Sequence, residues 1–356
     1  MSEHGIDEQS TNEQSTNGNG TAVALGRKDW ESDQEVRWCP GCGDYGILAA
    51  IQFLMPELGI EPHNTVFVSG IGCAARLPYY MNTYGVHSIH GRAPALATGV
   101  ALARPDLSVF VIGGDGDMLS IGGNHLIHAL RRNVNLTILM LNNQIYGLTK
   151  GQYSPTSEVG KVTKSTPFGS IDHPFNPLSV AIGAEASFVA RTHDVDRKHM
   201  MQTVRRAHEH RGASFVEILQ NCNVFNDGAY DGILKRDVRA DMLIPLEHGQ
   251  PIRFGADGQH GVAVNEFGEP HVVDTEKVGV NHLLVHDEHR DDPTLAFALS
   301  RLANGPDQPT PIGVFRDVER STYEVEVEQQ VAAAVERSGP GDLRKLLHSG
   351  AVWTVQ

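Results

Sequence analysis

The sequence predicts an α/β fold, a mostly parallel sheet with helices on both faces, on two observations. From Trp38 onward apolar runs of strand length alternate with helix-period segments. Several of these runs are apolar at nearly every position, as strands covered on both faces are. A chain of 356 residues with 40% hydrophobic residues is long enough for one large core of this kind.

The elements follow in order. Residues 1–28 are rich in Ser, Thr, Asn, Gln, Gly and Glu and repeat Glu8-Gln9-Ser10-Thr11-Asn12 as Glu13-Gln14-Ser15-Thr16-Asn17. Such a segment buries too little apolar surface to offset its ordering entropy and is expected to be a disordered tail. The α/β domain is placed at 29–226. Thr65–Ser69 reads as a strand, Ala93–Ala103 as a helix of small residues, 108–112 as a strand and Gly123–Arg132 as a helix. The run 136–141 is a further strand, Pro177–Gly183 and 194–210 are helices, and 214–219 is a buried strand. Beyond Asp227 short strand-like runs, 261–264 and 271–273, stand among Gly, Asp, Glu, Pro and His, ahead of an acidic helical stretch at 323–337. Residues 227–356 are expected to form a C-terminal extension packed on the core.

Charge and cysteine usage narrow the function classes. With 43 acidic against 29 basic residues the net charge is -14, and no Lys/Arg stripe with interleaved aromatics occurs, which argues against a nucleic acid partner. The start of the chain lacks the basic and apolar parts of a secretory signal, and no apolar run reaches membrane-spanning length. The expectation is a cytoplasmic protein without membrane contact. In that reducing compartment Cys39, Cys42, Cys73 and Cys222 are not disulfide staples.

Ligands of open α/β sheets bind beyond the carboxyl ends of the strands. There stands Gly113-Gly114-Asp115-Gly116-Asp117, and one helix and one strand later Asn142-Asn143-Gln144-Ile145-Tyr146-Gly147. Glycines let backbone N–H groups close on phosphate oxygens with no β-carbon in the way. Magnesium takes about six hard oxygen ligands, one or two from side chains and several from phosphates and water. Asp115 and the amide oxygen of Asn143, at the ends of successive parallel strands, could share one such ion. A lone Gly-Asp-Gly would be a simple turn; two halves at this spacing, each after a strand, favour a cofactor site.

The four cysteines fall in Cys39-Pro40-Gly41-Cys42, Gly70-Ile71-Gly72-Cys73 and Asn221-Cys222. Four thiolates suit a tetrahedral zinc or a [4Fe-4S] cluster, and spacing does not separate the two; the other reading is a buried or redox-active Cys-x-x-Cys with two unrelated core cysteines. Cys73 and Cys222 each follow a strand, so they share the carboxyl edge with the metal motif.

Gly114-Asp115-Gly116 followed by Asn142-Asn143 resembles the motif of thiamine diphosphate-dependent enzymes. That resemblance implies their fold, thiamine diphosphate and Mg2+. The metal shell then comprises Asp115, Asn143 and the backbone carbonyl of Ile145, with Asn142 as the alternative ligand. Trp38-Cys39-Pro40-Gly41-Cys42-Gly43, Gly70-Ile71-Gly72-Cys73, His90-Gly91-Arg92, Gly114-Asp115-Gly116-Asp117 and Tyr146-Gly147-Leu148-Thr149-Lys150-Gly151-Gln152 together resemble the β subunit of two-subunit 2-oxoacid:ferredoxin oxidoreductases, over roughly 36–225. This likeness implies that Cys39, Cys42, Cys73 and Cys222 ligate one [4Fe-4S] cluster, and that Gly114, Gly116, Asp117, Cys73, Arg76 and His90 lie about the cofactor. It implies coenzyme A-dependent oxidative decarboxylation of a 2-oxoacid, with electrons leaving through the cluster to ferredoxin. The partner is an α subunit in an α2β2 heterotetramer, which contributes the activating glutamate.

Leu148, Lys150 and Arg76 are the candidate substrate contacts; a second carboxylate would use the extra cation, so 2-oxoglutarate is favoured over pyruvate. The competing readings are a pyruvate-specific member, a non-oxidative thiamine enzyme with structural zinc, and a purely structural metal-binding subunit. His90 and Arg92 either contact the cofactor or cap a helix, and His125 and His128 read as packing or surface residues. The group His282, His286, Asp287, Glu288 and His289 reads as a solvated loop, with metal binding the alternative.

Overall fold

The computed structural model describes residues 25–302 and 308–355. Most of the expected tail, 1–24, lies outside the described residues; its last two positions open the 3-10 helix Arg27–Trp30, whose Trp30 is buried. In chain order the strands are β1 (Thr65–Ser69), β2 (Tyr84–His87), β3 (Ser108–Gly114), β4 (Leu136–Asn142), β5 (Phe188–His193), β6 (Ala213–Leu219), β7 (Leu243–Leu246), β8 (Arg253–Phe254), β9 (His260–Val264), β10 (Pro270–Asp274) and β11 (Thr310–Asp317). Eight of them form one sheet in the order β2-β1-β3-β4-β6-β5-β11-β7. The first six in that order are parallel; β11 runs antiparallel to β5, and β7 parallel to β11. β8, β9 and β10 make a separate antiparallel sheet.

The continuous apolar runs are explained by two cores, one on each face. Val109 and Val111 of β3 pack with the helices Ala93–Ala103 and Gly123–Arg132, while Phe110 and Ile112 pack with Asp44–Leu54 and Arg197–Glu209. β4 divides likewise, Ile138 and Met140 from Leu139 and Leu141. The alternation follows from the two-residue repeat of a strand. Phe67 of β1 stacks on Phe110 with ring centroids 4.9 Å apart.

The mostly parallel sheet agrees with the sequence reading, which differs from the structure at four places. The helix expected over 194–210 begins at Arg197, because Asp196 caps it by accepting the amide of His199 at 3.0 Å. β5 escapes a hydrophobicity reading because Arg191, Thr192 and His193 interrupt it, yet all six of its residues are buried. The helix Asp44–Leu54 follows directly on the Cys-Pro-Gly-Cys turn. The expected extension supplies β7 and β11 to the large sheet itself, in addition to the small sheet packed beside it. Among the described residues no helix is long and apolar enough to cross a membrane.

The segments after β1, β3, β4, β5 and β6 all emerge at one edge. His193 closes β5 there, 1% exposed, with Nδ1 unpartnered among the described residues. Burial, helped by neighbouring His199, pushes it down to about 4. It is neutral in the fold, whereas an unfolded His titrates near 6.5. Its contribution is therefore complete above about pH 6.5 and is lost as pH falls through about 4. His193→Phe should shift acid unfolding, followed by circular dichroism, to lower pH, by an effect of up to roughly 3 kcal/mol. An unchanged acid midpoint would show that this burial does not govern acid stability.

Candidate functional site

Asp115 begins the short helix Asp115–Leu119 at the end of β3 and is 1% exposed. Its Oδ2 accepts hydrogen bonds from Ser154 Oγ at 2.5 Å and Thr156 Oγ1 at 2.6 Å. Burial pushes its carboxyl up to about 6, against the pull of those two hydroxyls. Asp117, equally buried, uses Oδ1 to accept from the amides of Ile71 at 3.1 Å and Gly91 at 2.9 Å, and lies 2.7 Å from His90 Nδ1. A β-carbon at Gly70 would stand 1.8 Å from Asp117 Oδ2, so only glycine admits this approach. Gly116 is similarly constrained, since a β-carbon there would meet the Tyr146 ring at 2.3 Å. The Tyr146 hydroxyl donates to the Gly116 carbonyl at 3.0 Å.

The two asparagines have different surroundings. Asn142 is buried and fully engaged: its Nδ2 donates to Glu217 Oε1 at 2.7 Å, and its Oδ1 accepts from Thr156 at 2.9 Å and from the amide of Gln144 at 3.2 Å. Asn143 lines a narrow cleft of about 40 Å³ together with Asp115, Asp117, Ile145, Gly147 and Cys73. Its Oδ1 accepts only the amide of Ile145, at 3.2 Å, among the described residues.

The cysteines close around the same cleft. A β-carbon on Gly147 would lie 3.5 Å from Cys73 Sγ and 3.6 Å from Cys222 Sγ, so both sulfurs press on the backbone that follows Asn143. Cys39 and Cys42 are joined by a turn, with the amide of Cys42 donating to the Cys39 carbonyl at 3.0 Å. That turn is tied to the Cys222 segment, because Asn223 Nδ2 donates to the Pro40 carbonyl at 2.6 Å and the Gly43 amide to the Asn221 carbonyl at 3.1 Å. Burial, and then the nearby Asp44, push the Cys73 thiol up to about 12 and Cys42 higher still. Burial likewise pushes Asp44 up to about 7. A bound cation would hold these sulfurs as thiolates, since metal binding displaces thiol protons. The donor set therefore fits a metal centre.

Sequence reasoning gathered Asp115, Asn143, Ile145, Gly114, Gly116, Asp117, Cys73, His90 and Leu148, all of which line the cleft. Lys150 and Arg76 do not line it: Lys150 is exposed, and Arg76 Nη1 donates to the Arg37 carbonyl at 3.1 Å. Arg92 precedes the helix Ala93–Ala103 without a side-chain cap, and its guanidinium lies 2.7 Å from His125 Nε2. Sequence reasoning missed Ser154 and Thr156, which carry no motif, and the Glu217–Asn142 bond, which only the adjacency of β4 and β6 creates.

Residues 70–218 match the family model of the thiamine pyrophosphate enzyme C-terminal TPP binding domain. The 2-oxoglutarate oxidoreductase subunit KorB of Mycobacterium tuberculosis is 58% identical over 330 residues, 92% of this chain and 88% of that protein. The 2-oxoacid:ferredoxin oxidoreductase 1, subunit beta, of Aeropyrum pernix is 47% identical over 210 residues, 59% of this chain and 64% of that protein. A solved structure of the 2-oxoglutarate:ferredoxin oxidoreductase from Magnetococcus marinus, with 2-oxoglutarate, coenzyme A and succinyl-CoA bound, superposes with a TM-score of 0.71 at 34% identity, covering 92% of this chain and 97% of that one.

Behind the cleft, Glu217 is held by Arg191, Nε to Oε2 at 2.7 Å, with the two side chains 8% and 2% exposed. Removing one partner of such a pair strands the other charge. Arg191→Met should cost about 3–5 kcal/mol in urea unfolding, and adding Glu217→Gln should recover most of it. A single variant as stable as the parent would refute the pairing.

Proposed function

Because the chain belongs to the family of 2-oxoacid:ferredoxin oxidoreductase β subunits, we propose that it works with an α subunit to convert 2-oxoglutarate and coenzyme A into succinyl-CoA and carbon dioxide. The observation that carries this reading is the shared wall of the two centres: one cleft is lined by Asp115, Asn143 and Cys73, with Cys222 behind Gly147. When bound, thiamine diphosphate supplies the electron sink for decarboxylation, and an iron-sulfur cluster an outlet for single electrons.

Asp115, Asn143 and the carbonyl of Ile145 are assigned to Mg2+ and, through it, to the diphosphate. Asn143 is preferred over Asn142 because Asn142 is committed to Glu217 and Thr156. Ser154 and Thr156 hold the Asp115 carboxylate in place. Through Asp117, the loops at Ile71 and Gly91 are fixed against the same floor, and His90 is held at the rim. Gly114 and Gly116 keep that floor free of side chains.

Cys39, Cys42, Cys73 and Cys222 are assigned to a [4Fe-4S] cluster. Among the described residues no three of these sulfurs gather within 4.8 Å of one another. A tetrahedral zinc, with Zn–S near 2.3 Å, would draw them to about 3.8 Å. The wider spread favours the cluster and disfavours the non-oxidative reading with structural zinc.

A cleft of about 40 Å³ has room for little more than one water's share of liquid volume, about 30 Å³, so most of the cofactor must extend beyond this chain's surface. That supports an α subunit supplying the remaining wall and the activating glutamate; the family likeness adds an α2β2 assembly that passes electrons to ferredoxin in the cytoplasm. Leu148 lines the cleft, and the exposed Lys150 two residues on is assigned to the second carboxylate of the substrate. Arg76 is the weaker choice, being bonded to the Arg37 carbonyl.

The test is anaerobic co-purification with the α subunit and coenzyme A-dependent dye reduction on a panel of 2-oxoacids. 2-Oxoglutarate should exceed pyruvate at least tenfold, and equal rates overturn the substrate assignment. Asp115→Ala should lose thiamine diphosphate and magnesium while keeping the iron-sulfur absorption. Cys73→Ser should lose that absorption. Unchanged cofactor content in the first variant refutes the metal site, and unchanged iron in the second refutes the cluster ligand.

A further inference from the structure

Asp317 ends β11 opposite Phe188, the first residue of β5, and so lies at the sheet edge away from the cleft. Beside it stands a second ligand set. His248, in the turn after β7, and Glu288 and His289, between β10 and β11, offer three ligand atoms within 4.8 Å of one another, the one such set among the described residues. His289 Nε2 lies 3.6 Å and His248 Nδ1 3.9 Å from Glu288 Oε1, and His248 Nδ1 lies 3.8 Å from Asp287 Oδ1.

Backbone bonds hold the two segments in register. The Gly249 amide donates to the His286 carbonyl at 2.8 Å, the His286 amide to the Gln250 carbonyl at 3.0 Å, and the Asp317 amide to the Glu288 carbonyl at 2.7 Å. His289 Nδ1 lies 2.7 Å from the Asp317 carbonyl oxygen. A carbonyl only accepts, so that nitrogen carries the proton, and Nε2 is left with its lone pair on the Glu288 side. This is the arrangement by which proteins orient metal-binding imidazoles. His286, by contrast, is buried with Nε2 on the Val314 carbonyl and is not among the three residues whose ligand atoms gather.

Glu288 is 4% exposed and already accepts from Arg206, at 3.1 Å on Oε2 and 3.0 Å on Oε1. A carboxylate has about four lone-pair positions, so Oε1 keeps one for a metal. Arg206 also donates to Asp317 at 3.0 Å and so remains partnered when Glu288 is shared.

We propose that His248, Glu288 and His289 bind a zinc ion, with water completing the shell. Two imidazoles and a carboxylate are ligands zinc accepts, and around a tetrahedral ion with bonds of 2.0–2.2 Å they stand about 3.3–3.6 Å apart. The imidazole nitrogens of His289 and His248, now 3.6 Å and 3.9 Å from Glu288 Oε1, close to that by a few tenths of an ångström. The ion joins the turn after β7 to the segment before β11 and, through Glu288 and Arg206, to the helix Arg197–Glu209.

The test is equilibrium dialysis of the intact complex against zinc, anaerobically and with saturating Mg2+ and thiamine diphosphate, followed by metal analysis. One zinc per β chain is expected, bound at least tenfold more weakly in the double variant His248→Ala with His289→Ala, at unchanged thiamine diphosphate content. His248→Ala alone, at a half-exposed position, should also weaken it, which covers the case of a poorly folding double variant. Absence of stoichiometric zinc, or equal affinity in His248→Ala, overturns the proposal and leaves an ion-paired cluster only.

Discussion

One oxygen of Asp117 gathers two backbone amides and an imidazole, and so ties together the loop after β1, the turn before the helix Ala93–Ala103 and the start of the helix after β3. A buried carboxylate is costly unless such donors satisfy it. Here Oδ1 is satisfied while the buried Oδ2 has no partner among the described residues, and the carboxylate ties three chain segments together at one sheet edge. Gly70, Gly91 and Gly116 follow from it, because side chains at these positions would strike Asp117, Gly122 and Tyr146.

The edge also concentrates acidic groups without matching cations. Asp44, Asp115, Asp117 and Glu217 are all buried within the parallel half of the sheet, and among them Glu217 alone has a buried guanidinium, that of Arg191. Burial raises the Asp115 and Asp44 carboxyls and the Cys42 and Cys73 thiols, and neighbouring carboxylates add to it at Asp44, Cys42 and Cys73. A bound cation would be a positive counterpart of the kind this geometry lacks, so the features that weaken the bare fold are those that would favour one.

Much of this was legible in the sequence. The glycine-flanked Asp115 and Asn143 of the Asn142-Asn143 pair stood out as a pattern a phosphate and a hard cation would need, and the fold brings them to one cleft. Period-two packing on both faces made β1, β3, β4 and β6 visible as apolar runs. β5 was hidden because Arg191 and His193 look like surface residues until Glu217, on the neighbouring strand, supplies a partner. Ser154 and Thr156 were hidden for a similar reason: a hydroxyl in a loop carries no pattern, and its contact with Asp115 spans about forty residues of chain. The different surroundings of Asn142 and Asn143 were hidden likewise, because Glu217, which engages Asn142, lies 75 residues beyond it. The small exposed strand β2 and the reversed pair β7 and β11 depend on distant pairing and left no local signature.

The reversed placement of β11 has a consequence in time. Every cysteine and every residue of the metal motif has left the ribosome by Cys222, and the six parallel strands are complete by Leu219. The outer edge of β5 stays unpaired until Thr310–Asp317 arrives, about ninety residues later. An open strand edge invites pairing with another chain. The cleft is thus complete before the chain is safe from association. A ligand bound there early would stiffen the parallel half while its last strand is still being made.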